Sequence, residues 1–356
     1  SGATPSVEAA TSKISGLISS RRFVKRSGEP SKACLMVSLG ILDRVVIVAG
    51  SSRTAVSTIA FRRADATLSE NAMPAASHSR NETTLPEGID PASLVDLERY
   101  PLLERESPAY QALVDDLHDR LLAEKILPME DFLTPEGIRL LLADAETMEP
   151  SAYHCAKTGN PYGIDPAKID ALPNGHPGKI MSPTVRDGVA YHDMQGSLCA
   201  ALYAWPPLRR FVADVLKVPE LYLQDDPSNA LVLQFYKPGG KLAWHFDRSK
   251  YSTILQLQAA DEGGYFEAAP GIRDAENENY DAVRALVLGE TEPPLRRKSK
   301  PGTFVIINGN HTLHRVTDIG GDRARMSLIL AYEEEPGVLL PVYLRRIFFG
   351  PDCPGD

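Results

Sequence analysis

Residues 230–258 read ALVLQFYKPGGKLAWHFDRSKYSTILQLQ, and the chain's architecture is decided there. Two apolar, β-type runs, Ala230 to Tyr236 and Ser252 to Gln258, flank a Pro-Gly-Gly turn and the tetrapeptide Trp244-His245-Phe246-Asp247. Short runs punctuated in this way read as strands. Within the tetrapeptide the polar side chains of His245 and Asp247 sit two apart. On an extended chain both point to the same side and can bind one metal ion together.

The same texture continues outward towards the C-terminus. Gly264 to Glu267, Thr303 to Asn308 and Arg325 to Tyr332 are further short β-type runs separated by Gly and Pro turns. Towards the N-terminus, Ser107 to Glu124 and Thr134 to Thr147 carry apolar residues at helical spacing, and Gln195 to Val215 looks helical and apolar on one face. The chain therefore reads as an α+β, mainly β protein: an all-β core behind a helical N-terminal half. Folded structure is expected from about Ile89, with a helical part over 89–218 and the β core over 219–345 of a domain spanning 89–356. Ala152 to Asp187, dense in Gly, Pro and Asn, reads as a long loop of the kind that borders an active site. Asp274 to Lys300 reads as a charged surface insertion.

Residues 1–88 are different. Up to Arg63, Lys and Arg far outnumber the acids Glu8, Glu29 and Asp43, with much Ser, Ala and Thr. That bias reads as a disordered leader, tail or artefact, with an organellar transit peptide as the alternative to a cytoplasmic protein. The apolar stretch 31–50 is split by Asp43 and Arg44 into runs too short for a membrane helix. Cys34, Cys155, Cys199 and Cys353 are scattered and read as free thiols in a reducing compartment. A net charge of −9, without basic residues interleaved with aromatics, argues against nucleic acid as a partner.

A third metal ligand is supplied by His314, which follows the run beginning Pro301-Gly302-Thr303. His311 is its rival, but the Leu313-His314-Arg315-Val316 context fits entry into a strand better. Two histidines and one carboxylate make a facial triad that leaves open positions on Fe(II) for a bidentate 2-oxo acid and for dioxygen. Arg325, eleven residues after His314, and Ser327, on the same side of a strand, can clamp a distal carboxylate, with Arg323 as the competing arginine. Taken singly, each piece is as readily a surface histidine or an ordinary ion pair. Their order along one β-rich segment is what points to an iron site.

From about Ile89 to the C-terminus the chain resembles the Fe(II)/2-oxoglutarate-dependent oxygenase superfamily, through His245, Asp247, His314, Arg325 and Ser327. Gln234 to Gly240, Gly264-Tyr265-Phe266-Glu267, Pro270-Gly271-Ile272-Arg273 and Leu313 to Thr317 resemble bacterial oxygenases that halogenate or hydroxylate free amino acids. The resemblance implies a double-stranded β-helix, a distorted, cupin-like jelly roll flanked by N-terminal helices. It also implies Fe(II), with 2-oxoglutarate and O2 as co-substrates. Halogenating members carry a small residue where this chain keeps Asp247, so the implied reaction is hydroxylation of an unactivated C–H bond, with desaturation as a variant. Tyr236 is placed to donate its hydroxyl to the co-substrate. Trp244, Arg273 and Asn310 are candidates for the substrate, expected to be a small polar metabolite such as a free amino acid, with Asn308, His154 and the 152–187 loop as further candidates. The competing readings are a peptidyl hydroxylase and a non-catalytic metal-binding jelly roll.

Overall fold

The computed structural model describes residues 88–354, and the backbone of two strands, β1 (Cys34–Leu39) and β2 (Leu42–Val48), which pair antiparallel with each other. The rest of the basic segment before Gly88 lies outside the described residues. Beyond it the chain lays down α1 (Pro108–Glu124), β3 (Ile126–Met129), α2 (Pro135–Met148), β4 (Tyr153–Gly159), α3 (Pro166–Ile169), β5 (Ser182–Val189), α4 (Leu198–Ala204) and α5 (Pro206–Leu216). There follow β6 (Tyr222–Leu223), β7 (Leu231–Tyr236), β8 (Leu242–His245), β9 (Ser252–Gln258), β10 (Glu262–Gly263), β11 (Phe266–Ala269) and α6 (Tyr280–Leu288). The last elements are β12 (Leu295–Arg297), β13 (Phe304–Ile307), β14 (Leu313–Val316), β15 (Ile319–Gly320), β16 (Arg325–Leu330), β17 (Tyr332–Glu333) and α7 (Val342–Phe349).

Eight of these strands form a double-stranded β-helix. A seven-stranded antiparallel sheet has the order β3-β13-β9-β16-β7-β5-β4, and a four-stranded one the order β12-β11-β14-β8. The chain passes from β7 in the large sheet to β8 in the small one, back to β9, over again to β11 and β12, and back and forth through β13, β14 and β16.

Alternation along the large sheet separates its two faces. Leu231, Leu233 and Phe235 of β7, Leu255 and Leu257 of β9, and Met326, Leu328 and Leu330 of β16 join the main core. From the helical side Tyr110, Val114, Leu117, Leu141, Phe211 and Val215 pack into that same core. The opposite face carries Gln234, Tyr236, Arg325 and Ser327 into a cavity. One face is therefore a conventional hydrophobic layer and the other is chemical.

The helices begin where local chemistry expects. Ser107 and Thr134 accept from the backbone N–H of Tyr110 and Gly137, with Pro in the first turn of both α1 and α2. The segment expected to be one helix over 195–215 is two, because Trp205 is extended and Pro206 starts a new helix. The expected long loop over 152–187 is corrected more substantially: its ends are β4 and β5, which pair with each other through seven residue pairs from Tyr153↔Gly188 to Gly159↔Ser182. Edge position explains the miss, since β4 buries only Cys155 and otherwise shows polar or exposed residues. The Gly- and Pro-rich composition belongs to the connection between them. Likewise the expected insertion over 274–300 holds α6 and the edge strand β12, which pairs with β11. Among the described residues no helix is long and apolar enough to cross a membrane.

Asp214 of α5 anchors the entry to α1, accepting from Arg105 Nε at 2.8 Å and Nη2 at 2.7 Å and from the Tyr110 hydroxyl at 2.7 Å. Burial would raise the Asp214 carboxyl, but the Arg105 and Tyr110 hydrogen bonds hold it below its ordinary value. A depressed carboxylate stabilises at neutral pH and ceases to do so as pH falls through the carboxylate range. With Arg105 half exposed, Asp214→Asn is expected to lower stability by about 1–2 kcal/mol at pH 7. The difference from the parent should shrink as pH falls below the ordinary aspartate range and through the depressed Asp214 value in chemical denaturation series.

Candidate metal centre and co-substrate pocket

Cross-strand register creates the candidate metal centre. In the small sheet β14 pairs with β8 so that His314 lies directly opposite His245, and opposite residues on antiparallel strands bring their side chains to about 5 Å. The two imidazole centroids are 4.1 Å apart. Asp247 lies just past the end of β8, its N–H donating to the Gly309 carbonyl at 3.0 Å. Its Oδ1 is 3.4 Å from His245 Nε2 and its Oδ2 is 3.6 Å from His314 Nε2. One donor atom from each of the three residues lies within 4.8 Å of the others, which no other such cluster among the described residues achieves.

The donor set fits a metal ion. His245 Nδ1 is 2.9 Å from the Ala243 carbonyl and His314 Nδ1 is 3.0 Å from the Thr312 carbonyl. A carbonyl only accepts, so Nδ1 carries the proton on each ring and the Nε2 lone pairs are left facing the shared point. Burial pushes the His314 imidazole down to about 4, with His245 adding to the effect, so it is neutral at physiological pH. Burial would raise the Asp247 carboxyl, yet the His314 and His245 rings and Ser252 hold it well below the usual range. Burial also opposes protonation of His245, but the Asp247 carboxylate outweighs it and the imidazole is raised.

A second register builds a candidate pocket for an anion. On β16 and β7, Arg325 lies opposite Tyr236 and Ser327 opposite Gln234. Arg325 is 6% exposed, its Nη1 donates to Ser327 Oγ at 3.1 Å, and its guanidinium sits 5.4 Å from the Tyr236 ring. Burial lowers the Arg325 guanidinium, and among the described residues no carboxylate partner restores it. A buried cation without a counter-ion is costly, so the pocket favours an anionic ligand. The rival Arg323 is at the surface, paired with Asp261.

Both registers face one cavity of about 710 Å³, a size typical of small-molecule sites. Tyr236 reaches it, although its hydroxyl donates to Gln234 Oε1 at 2.7 Å. Trp244, Arg273 and Asn310 also line it. Trp244 packs with Phe246, Val283 and Leu286. Arg273 lies 3.8 Å from the Phe246 ring centroid, donates to the Asn310 carbonyl and pairs with Glu278 at 3.0 Å, so its charge is already met. Asn310 Oδ1 and Asn308 Oδ1 are buried without partners. His154 is exposed and bonded to Asp187, and His311 falls outside the metal cluster.

Among the lining residues that the sequence reading did not place are two charged ones: Arg186 of β5, buried in the cavity wall, and Glu333 of β17. The available signal was the alternation Thr184-x-Arg186-x-Gly188, hidden because the segment reads as loop.

A protein-family model described as Halogenase D matches residues 180–339, a span that contains both registers. No match was found among curated proteins. Among solved structures the chain is similar to a 2OG-Fe(II) oxygenase-family oxidoreductase from Burkholderia pseudomallei, at 14% identity and a TM-score of 0.41, over 62% of this chain and 91% of that one. It is similar to a prolyl-4-hydroxylase from Pseudomonas putida at 15% identity and a TM-score of 0.37, over 61% and 97% of the two chains. A non-haem α-ketoglutarate-dependent epimerase from nogalamycin biosynthesis is similar at 13% identity and a TM-score of 0.43, over 62% and 82%.

Gly309 gives a sharp test of the centre. A Cβ there would lie 2.2 Å from Asp247 Oδ2 and 2.7 Å from Asp247 Cβ. Gly309→Ala is expected to push the carboxylate away and weaken Fe(II) or Co(II) binding by roughly 10–100-fold. Metal titration checks this, with circular dichroism verifying that the fold is retained.

Proposed function

We infer that the chain is an Fe(II)/2-oxoglutarate-dependent oxygenase, that His245, Asp247 and His314 hold the iron and that the reaction hydroxylates an unactivated C–H bond of a small polar metabolite, a free amino acid. The enzyme is a 2-oxoglutarate-dependent dioxygenase. The observation that carries the assignment of residues is the buried, acid-free Arg325 in the same cavity as the His-Asp-His cluster. A cavity that only held a metal has no use for an unpaired arginine.

When bound, iron supplies the reductive activation of dioxygen, whose two atoms end in the hydroxylated substrate and in succinate while CO2 leaves. The chain's residues do the placing. The Nδ1–H bonds to Ala243 and Thr312 fix both imidazoles in the tautomer that presents Nε2. Arg325 and Ser327 receive the far carboxylate of 2-oxoglutarate, and the Tyr236 hydroxyl, now on Gln234, is available to turn towards it. Burial of this wall keeps water from the anion and strengthens its hydrogen bonds.

The Halogenase D match favours halogenation as a second reading. Asp247 supports hydroxylation instead, since its carboxylate occupies the position that a halide needs. A small substrate is supported by the cavity volume of about 710 Å³, with Tyr162, Ile164, Leu340 and Leu344 among its lining residues. A peptide would call for an open groove.

Anaerobic Fe(II) with 2-oxoglutarate should give a visible charge-transfer band that His314→Ala abolishes. Arg325→Leu should weaken 2-oxoglutarate by about 10–100-fold. On admitting oxygen, one amino acid of a panel should stimulate succinate release and gain one oxygen atom by mass spectrometry. With chloride present, a chlorinated product from the unaltered protein would establish the second reading.

A further inference from the structure

Arg186 is the other buried arginine of the cavity that no acid neutralises. It is 5% exposed, and its Nε and Nη1 atoms are buried without hydrogen-bond partners. No ion pair to it occurs among the described residues, and its guanidinium lies 5.1 Å from the Phe348 ring centroid and 6.0 Å from that of Phe349, which do not discharge it. The adjacent acid, Asp187, serves His154 and Lys237 instead. Asp247 and Glu333 are the only acids lining the cavity among the described residues, and Glu333 is engaged by Gln224 and Ser249.

The fold makes room for this charge. On β5, Gly188 is the next residue facing the same side, and a Cβ there would meet Arg186 Nη1 at 2.2 Å. Opposite Arg186 on β4 is the small, buried Cys155. An arginine folded over a glycine, with two donors unmet, is a donor fork set in place before its ligand arrives.

We propose that Arg186 receives the carboxylate of the substrate, separately from the Arg325–Ser327 clamp on 2-oxoglutarate, so that the cavity reads two carboxylates with two buried arginines. This rests on the oxygenase reading of the cavity and names the group that recognises the carboxylate of its substrate. Uncharged analogues leave the Nε and Nη1 donors unmet and are rejected.

The test uses the full chain loaded anaerobically with Mn(II) and 2-oxoglutarate, in the parent and in Arg186→Leu, Arg325→Leu and Gly188→Ala. Arg186→Leu is expected to keep 2-oxoglutarate affinity within about 2-fold while Arg325→Leu loses about 10–100-fold. The twenty amino acids, a set of dicarboxylic and hydroxy acids, and the carboxamide of each are then screened by thermal shift. At least one free acid should stabilise the parent, its carboxamide should not, and Arg186→Leu and Gly188→Ala should each weaken that acid by about 10-fold or more. If Arg186→Leu weakens 2-oxoglutarate as much as Arg325→Leu does, Arg186 belongs to the co-substrate clamp and the proposal falls. It also falls if no acid is preferred over its carboxamide, or if the preference survives in Arg186→Leu. A preferred acid that is not an amino acid, lost in Arg186→Leu, upholds the role of Arg186 while overturning the amino-acid reading. Removing an unpaired buried charge should not lower the thermal midpoint of the ligand-free protein, so a large drop in Arg186→Leu would mark a structural arginine instead.

Discussion

The register of β14 against β8 is the constraint on which the site depends, because it alone sets His314 opposite His245. A slip of one residue would turn either histidine to the outer face. The outer face opposes such a slip. Glu267 of β11, buried, accepts from Arg315 of β14 at 2.7 Å and pairs with Arg296 of β12 at 3.2 Å. The Arg315 guanidinium in turn lies 4.7 Å from the Trp244 ring of β8. Four neighbouring strands are thereby held in step, with Arg315 and Trp244 each one residue away from an imidazole of the centre, and the buried carboxylate with two arginines is satisfied in doing so.

Electrostatic asymmetry across the cavity follows from the same two-residue period. The face of the large sheet turned to the helices is almost wholly apolar, so the helices cover it without polar cost. The other face concentrates Arg186, Arg325, Gln234 and Ser327 against a cluster with a single ionised carboxylate. Unpaired buried cations are unfavourable in the empty protein and become favourable when anions enter. An apolar wall would cost the empty protein less, but would offer an entering anion nothing.

Much of this was legible before any tertiary contact was known. Alternation in Leu231 to Tyr236 and Arg325 to Leu330 marks strands, and the spacing of His245 and Asp247 puts two donors on one side of an extended chain. What misled was composition near an edge. β4 and β5 carry the charges, prolines and glycines that edge and peripheral strands tolerate, so they read as loop. With that misreading Arg186 was lost from view, since only a strand assignment makes its side chain point the same way as Thr184 and Gly188.

The sequence by itself determined the β core, its flanking helices and the identity of the donor groups, because alternation, helical periodicity and residue chemistry are local properties. Only the tertiary structure decided which donors meet. His311 and His314 differ by three residues, and Arg323 and Arg325 by two; local pattern scarcely separates them. Pairing of β14 with β8 and of β16 with β7 separates them outright, since a long-range register directs His314 and Arg325 into the cavity while Arg323 is held at the surface by Asp261.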